Sequence, residues 1–270
     1  MAFATIRYRT VDIQVADEPP KDICFIFGVR KSGSSILNNV VHAIAKMNDV
    51  HFVDIAGQLF QNGIPVRDWQ RDADMGKLLK PGNVYGGFRN FPIGLAGDET
   101  FRNSKKLLLV RDPRDALVSE YFSNAYSHSV PASGETRNDM LALRDAALKS
   151  EIDAYVLKMA PLLRNTLREY AQLDDRNIHR MLRYEDVITR KRRLLSELCR
   201  FFSWSLSETQ SNQILGWADI VPEMEQPTEF VRRVTPGDYL EKLSPETIMK
   251  LNDLFAAEMQ HFGYGQSAAE

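Results

Sequence analysis

Residues 21–35 read KDICFIFGVRKSGSS. The first half is a short, apolar, β-rich run that ends at Gly28, and from Ser34 to Lys46 the apolar residues recur at the wider spacing of a helix. The segment therefore predicts strand, glycine-containing loop and helix. Similar short apolar runs follow at 50–53, 84–88, 106–110 and 178–182, separated by helical stretches of unequal length. Strands that alternate with helices imply an α/β fold with a parallel sheet. The helices expected are 113–126, 139–170 with a bend at Pro161, 191–202, 207–216 and 245–261, the last opened by Ser244 as N-cap and Pro245 at its first position. The less regular regions 56–82 and 218–238 are expected to be loops that cover a site.

Composition bounds what such a fold can do. The 270 residues are 44% hydrophobic and 26% charged, the balance of a globular protein rather than a disordered or collagen-like one. No stretch reads as an interdomain linker and no repeat of fixed period occurs, so one domain over 1–270 is expected. Thirty-four basic and thirty-six acidic side chains leave a net charge of −2, too little field to hold nucleic acid or an anionic membrane. Any anion site must be local. Cys24 and Cys199 are too few for a metal cluster or a disulfide framework, no apolar run approaches the roughly 18 residues of a membrane span, and the N-terminus lacks a signal-peptide core. A cytoplasmic location is the expectation.

The loop Gly28-Val29-Arg30-Lys31-Ser32-Gly33-Ser34-Ser35 has glycines five apart, which lets backbone amides wrap a phosphate at a helix N-terminus. It is nearly a Walker A loop. The position after the second glycine, where a nucleoside triphosphatase needs lysine, is Ser34, and the lysine stands earlier, at Lys31. ATP with magnesium loses support, whereas a diphosphate-like anion with a transferable outer group keeps it. The competing reading is a Gly/Ser turn with two solvated cations.

A second anion site follows the strand 106–110, in Arg111-Asp112-Pro113-Arg114-Asp115-Ala116-Leu117-Val118-Ser119. Pro113 opens a helix, so Arg111 at the strand end and Ser119 in the second turn can reach one phosphate. The plainer reading is a helix start with surface ion pairs. Two strand-end anion sites call for a ligand with two separated phosphate-like ends.

With these residues the chain resembles the sulfotransferases that use 3′-phosphoadenosine 5′-phosphosulfate (PAPS), which carry K-S-G-[ST]-[ST] and R-[DN]-P-[RK]-D-x-x-V-S. Both are present, at Lys31 to Ser35 and Arg111 to Ser119, followed in the family's order by Arg183-Tyr184-Glu185-Asp186 and by Arg232-Arg233-Val234-Thr235-Pro236-Gly237-Asp238-Tyr239. The resemblance implies a P-loop-like, three-layer α/β fold with a central, mostly parallel sheet flanked by helices. It implies PAPS as donor and 3′-phosphoadenosine 5′-phosphate (PAP) as product, no metal, and transfer of a sulfuryl group to a hydroxyl or amine. Lys31 would touch the transferring group and the leaving oxygen, and the stretch Arg30, Lys31, Ser32, Gly33, Ser34 and Ser35 would cradle the 5′-phosphate. Arg111, Ser119, Arg232 and Arg233 would hold the 3′-phosphate. Tyr184 would lie beside the adenine, with Trp217, on the loop leading to Arg232, as stacking partner.

The chain departs from the family pattern at three places: Ile36 where many members have tryptophan, Val234 where they have glycine, and Asn90 where cytosolic members have a histidine base. Asparagine cannot accept a proton at neutral pH. Asp54 is then the candidate base, or else the cap of the turn that follows its strand. His51 is expected to point into the acceptor cleft, and Arg89 is either a second catalytic cation or a surface arginine. His42 reads as a packed or half-exposed histidine, and His128 lies just past the Ser119 helix, facing acceptor or solvent. The basic run 190–193 reads as a solvated helix face rather than a nucleic-acid contact. A small-molecule, glycan or lipid acceptor would sit among 56–82, 88–97 and 127–137, beside Phe60, Trp69, Phe91 and Tyr126. A homo-oligomer is open. The alternatives are a P-loop nucleotide kinase and a non-catalytic nucleotide-binding or scaffold protein.

Overall fold

The computed structural model describes residues 2–17, 22–173, 180–222, 224–226, 228–229 and 231–264. Lys21 and residues 178–179, assigned above to strands, and residues 223, 227 and 230 of the expected covering loop lie outside the described residues. An antiparallel hairpin that the sequence reading did not anticipate comes first, β1 (Phe3–Tyr8) and β2 (Val11–Ala16). Its two-residue turn takes Arg9 into positive φ, and the alternate residues Val11, Ile13 and Val15 are buried. The buried Asn83 amide ties the hairpin down, accepting from the Ala16 N–H at 2.8 Å and donating to the Ala16 carbonyl at 3.1 Å.

The central sheet follows: β3 (Cys24–Gly28), β4 (His51–Asp54), β5 (Asn83–Phe88), β6 (Lys105–Val110) and β7 (Arg180–Arg183), in the order β4-β5-β3-β6-β7 with every described pair parallel. Period-2 alternation feeds two cores: Phe25, Phe27, Leu108 and Val110 point to one face, and Cys24, Ile26, Leu107 and Leu109 to the other. On the second face lie α1 (Ser34–Met47), α9 (Lys191–Phe202) and α10 (Glu208–Ala218). The first face carries α5 (Pro113–Phe122), α7 (Ile152–Ala171) and α12 (Pro245–His261). These are the three layers that the resemblance implied, around the parallel sheet that the alternation implied.

Shorter elements complete the chain: α2 (Ile55–Gln61), α3 (Val66–Trp69), α4 (Glu99–Asn103), α6 (Glu135–Leu148), α8 (Tyr184–Val187) and α11 (Tyr239–Lys242). Residues 56–82 are thus partly helical, not an open loop. The helix expected over 139–170 is two, because Ser150 turns its hydroxyl back to the Ala146 carbonyl (2.7 Å) and Glu151 is extended, while Pro161 sits inside α7. Trp69 and Phe91, expected beside the acceptor, are core residues: Trp69 packs on Phe88, and Phe91 on Phe27, Phe101 and Tyr170.

Strand order locates the working end. From β3 the chain crosses to β4, whereas from β6 it moves to β7 on the other side. The crevice of such a sheet opens where the direction reverses, at the carboxyl ends of β3 and β6. Both basic loops begin there.

Candidate active site

The loop after β3 is folded tightly on itself. A Cβ on Gly28 would lie 2.5 Å from that of Ser34, Lys31 has φ +64° and Gly33 φ +86°. Ser32 is fully buried and donates its hydroxyl to the Val29 carbonyl at 2.6 Å, so that proton is spent inside the loop. Helix α1 starts at Ser34 with no side-chain cap and no acid in its first turn. Its amide end is open to an anion.

Lys31 points into a cationic cluster. Burial pushes its ammonium down to about 8; Arg111, Arg89 and Arg232 push the same way, and Glu120 opposes them. Arg30 turns to α5 instead, where its guanidinium meets Glu120 at 3.2 Å, leaving the buried Nε of Arg30 and Oε2 of Glu120 without partners among the described residues. Glu120, in the last turn of α5, was not singled out from the sequence.

Arg111 stands at the end of β6, 6% exposed. One guanidinium nitrogen donates to the Lys31 carbonyl at 3.2 Å, the plane lies 4.3 Å over the Tyr184 ring, and the buried Nε has no partner. Tyr184 therefore sits under Arg111 and against Gly33, 3.1 Å from where a Cβ there would be. Its ring supports the two loops. Ser119 is half-buried two turns into α5. RDPRD is not a surface pair: Asp112 caps α5 at the Arg114 N–H, and buried Asp115 accepts the N–H groups of Gly237 and Tyr239 at 2.8 and 3.0 Å. That carboxylate pins the C-terminal basic motif to α5.

Arg232 is buried, stacked 4.2 Å over Phe122, and donates to Glu225 and Asp238. Arg233 turns outward to Asp238 (3.0 Å) and Glu241 (2.6 Å). Trp217 is on the last turn of α10 rather than on the loop, 40% exposed.

On the β5 side, Gly87 (φ +83°) makes a bulge, shifting the β3 register between Phe25 and Phe27. Arg89 beyond it donates to Ser35 Oγ (3.2 Å) and the Gly87 carbonyl (3.2 Å), joining the Lys31 loop to this edge; burial lowers its pKa and Asp54 opposes. Asp54 does cap α2, accepting the Gly57 N–H at 2.8 Å, yet it lies at the same carboxyl end. His51 does not. It opens β4 level with Asn83, at the opposite end of the sheet, with its ring on the Gln14 carbonyl (3.2 Å) and against Phe3. The strand register does not bring it to the anion loops, because Phe52 and Val53 separate it from the Asp54 end.

Helix α5 runs into a π-helical turn, Ser123–Ser127, which delivers His128 toward Lys31 and Arg89; both cations act on its ring. The basic run 190–193 is not wholly a solvated face: Lys191 is buried, on the Ile188 carbonyl and Asp219.

A parallel sheet with a cation-bearing anion loop at its switch point defines an α/β group-transfer enzyme. The family model described as "Sulfotransferase domain" matches residues 21–263, and the chain belongs to that family: it is a PAPS-dependent sulfotransferase. Mouse sulfotransferase SULT7A1, solved with PAP, is similar over 95% of each chain at 13% identity and a TM-score of 0.59, a likeness of fold. A sulfotransferase from Alicyclobacillus acidocaldarius (16% identity, 90% of this chain and 94% of that, TM-score 0.46) and retinol dehydratase with androsterone and PAP (14%, 88% and 80%, 0.48) are also similar. No curated protein sequence matches the chain significantly. Among the described residues no helix is long and apolar enough to cross a membrane.

Proposed function

We propose that this enzyme moves the sulfuryl group of PAPS to a hydroxyl or amine of a small-molecule acceptor by in-line displacement, without a metal. The residues present fit such a donor. The uncapped amides of α1 and the hydroxyls of Ser34 and Ser35 suit the 5′-phosphate, and buried Arg111, with an unpartnered Nε, suits a second anion beside Ser119. Bound, the donor supplies an electrophilic sulfur and a phosphate leaving group. Lys31 holds its ammonium toward the oxygen that gains charge, where a preorganised cation in a dry site contributes most. Arg89 adds a second cation on the acceptor side and fixes Ser35. Arg232 would complete the 3′-phosphate site by leaving Glu225, while Arg233, paired outside, holds Asp238.

The observation that carries this reading is Arg111 bonded to the Lys31 carbonyl, which makes one wall of two anion loops. The acceptor would lie between Arg89, Phe60 and the 128–137 segment. Thermal-shift titration tests the reading: PAP should raise Tm without magnesium, and ATP with magnesium should do so less. Stabilisation by magnesium ATP alone would favour a kinase and overturn it.

A further inference from the structure

The acceptor's proton needs a destination that neither Asn90 nor His51 provides, and Asp54, at the right end of the sheet, already spends its carboxylate on the Gly57 N–H as the cap of α2. Three backbone or ring contacts fix His128 after the π-helical turn Ser123–Ser127. Its N–H donates to the Ser123 carbonyl at 2.8 Å, closing the π-helical turn, and its carbonyl accepts from Arg144 at 2.6 Å. The ring's Nδ1 lies 3.0 Å from the Ser129 carbonyl. A carbonyl can only accept, so Nδ1 carries the hydrogen and Nε2 is left as an acceptor, the tautomer a base requires. The ring packs beside Phe60 of α2, 6.1 Å between centroids, so one wall of its surroundings is apolar.

We propose that His128, reaching in from the turn after α5, is the general base of this sulfotransferase. Its Nε2 takes the hydroxyl proton of the acceptor as the new oxygen–sulfur bond forms. At the same time the sulfur–oxygen bond to the donor's phosphate breaks, its electron pair leaves on that phosphate, and the proton later passes from His128 to water. This rests on the PAPS reading above, and it places the base on a different element from the loop after β5.

The charges around the ring make the base depend on the donor. Burial pushes the imidazole down to about 4, and Lys31 of the anion loop, Arg89 beyond β5 and Arg144 of α6 push the same way, against the Ser129 carbonyl. Without a donor the ring is neutral but weakly basic. An anion seated on Lys31 and Arg89 offsets those charges and returns the ring toward the ordinary histidine value of about 6.5. Proton removal is then strongest when there is a sulfuryl group to receive the acceptor.

Imidazole nitrogen NMR on the full chain, with His128→Gln to identify the resonance, tests this with and without saturating PAP. The expected result is a pKa near 4 for the free ring that rises by at least about one with PAP, while His51, at the opposite end of the sheet, stays unmoved. A parallel assay with labelled PAPS and 2-naphthol expects His128→Gln to lose roughly 10²- to 10⁴-fold in kcat with its affinity for PAP kept. A ring that ignores bound PAP, or a variant that turns over as the wild type does, overturns the proposal. A wild type that binds no PAP overturns the donor reading instead.

Discussion

Arg111 donates to the main-chain carbonyl of Lys31, 3.2 Å away and 80 residues back in the chain, so the second anion loop is hydrogen-bonded to the tip of the first. Its guanidinium is also stacked on Tyr184, which packs against Gly33 of the same tip. Replacing it by lysine keeps the charge but loses the fork and the stacking plane. Arg111→Lys should weaken PAP at least about tenfold, beyond the tenfold that about 1.4 kcal/mol represents, as read by calorimetry. Wild-type affinity would mean that only charge matters at this position.

Lys31 sets a pH dependence. Its ammonium is lowered by burial to about 8, so below that pH it is charged and ready, and above it each binding event must take up a proton. PAP affinity should be level below pH 8 and fall above it, at most about tenfold per pH unit. Glu120 raises the Lys31 value, so Glu120→Gln should move the break to lower pH. For folding the sign is opposite: the buried charge costs stability below about 8, and that cost is relieved as pH rises toward the ordinary 10.5.

Glu225 competes with the ligand for Arg232. In the free protein that carboxylate and Asp238 share the guanidinium, and Lys242 holds Glu225 from its other side at 2.7 Å. Glu225→Gln keeps the shape and removes the competing charge, so PAP should bind several-fold tighter by calorimetry. Weaker binding would show that Glu225 helps to orient Arg232 instead.

Gly87 cannot carry a side chain. Its φ is +83° and a Cβ would fall 1.7 Å from Asp54 Oδ1. Gly87→Ala should cost about 2–4 kcal/mol in urea denaturation and displace Arg89, lowering transfer as well. A variant with unchanged stability would refute the packing described here.

The parts of this molecule written in local chemistry were legible in its sequence. The β3 run into Gly28, the Ser244-Pro245 cap of α12 and the basic α9 each follow from periodicity and capping. Lys31 and Arg111 were legible because each follows a strand that ends at the switch point. What the sequence could not show depends on register and on partners far along the chain. His51 and Asp54 are three residues apart, yet β4 puts them at opposite ends of the sheet. The stacking of Arg111 on Tyr184, 73 residues on, has no mark in either local motif. The hairpin of β1 and β2 was missed although its alternation is local; what the sequence could not show is its anchoring on distant Asp72 and Asn83. The π-helical turn that delivers His128 has no local mark in SNAYS.

The central claim is that one ligand is gripped at two phosphates by two linked loops, and calorimetry with PAP and adenosine 5′-phosphate tests it most directly. The wild type should bind PAP about a hundredfold more tightly than the ligand lacking the 3′-phosphate, as about 2.7 kcal/mol from charge-assisted arginine contacts would give. Arg111→Ala should abolish most of that advantage while Lys31→Ala weakens both ligands alike. Equal affinities of the wild type for the two ligands would contradict the account.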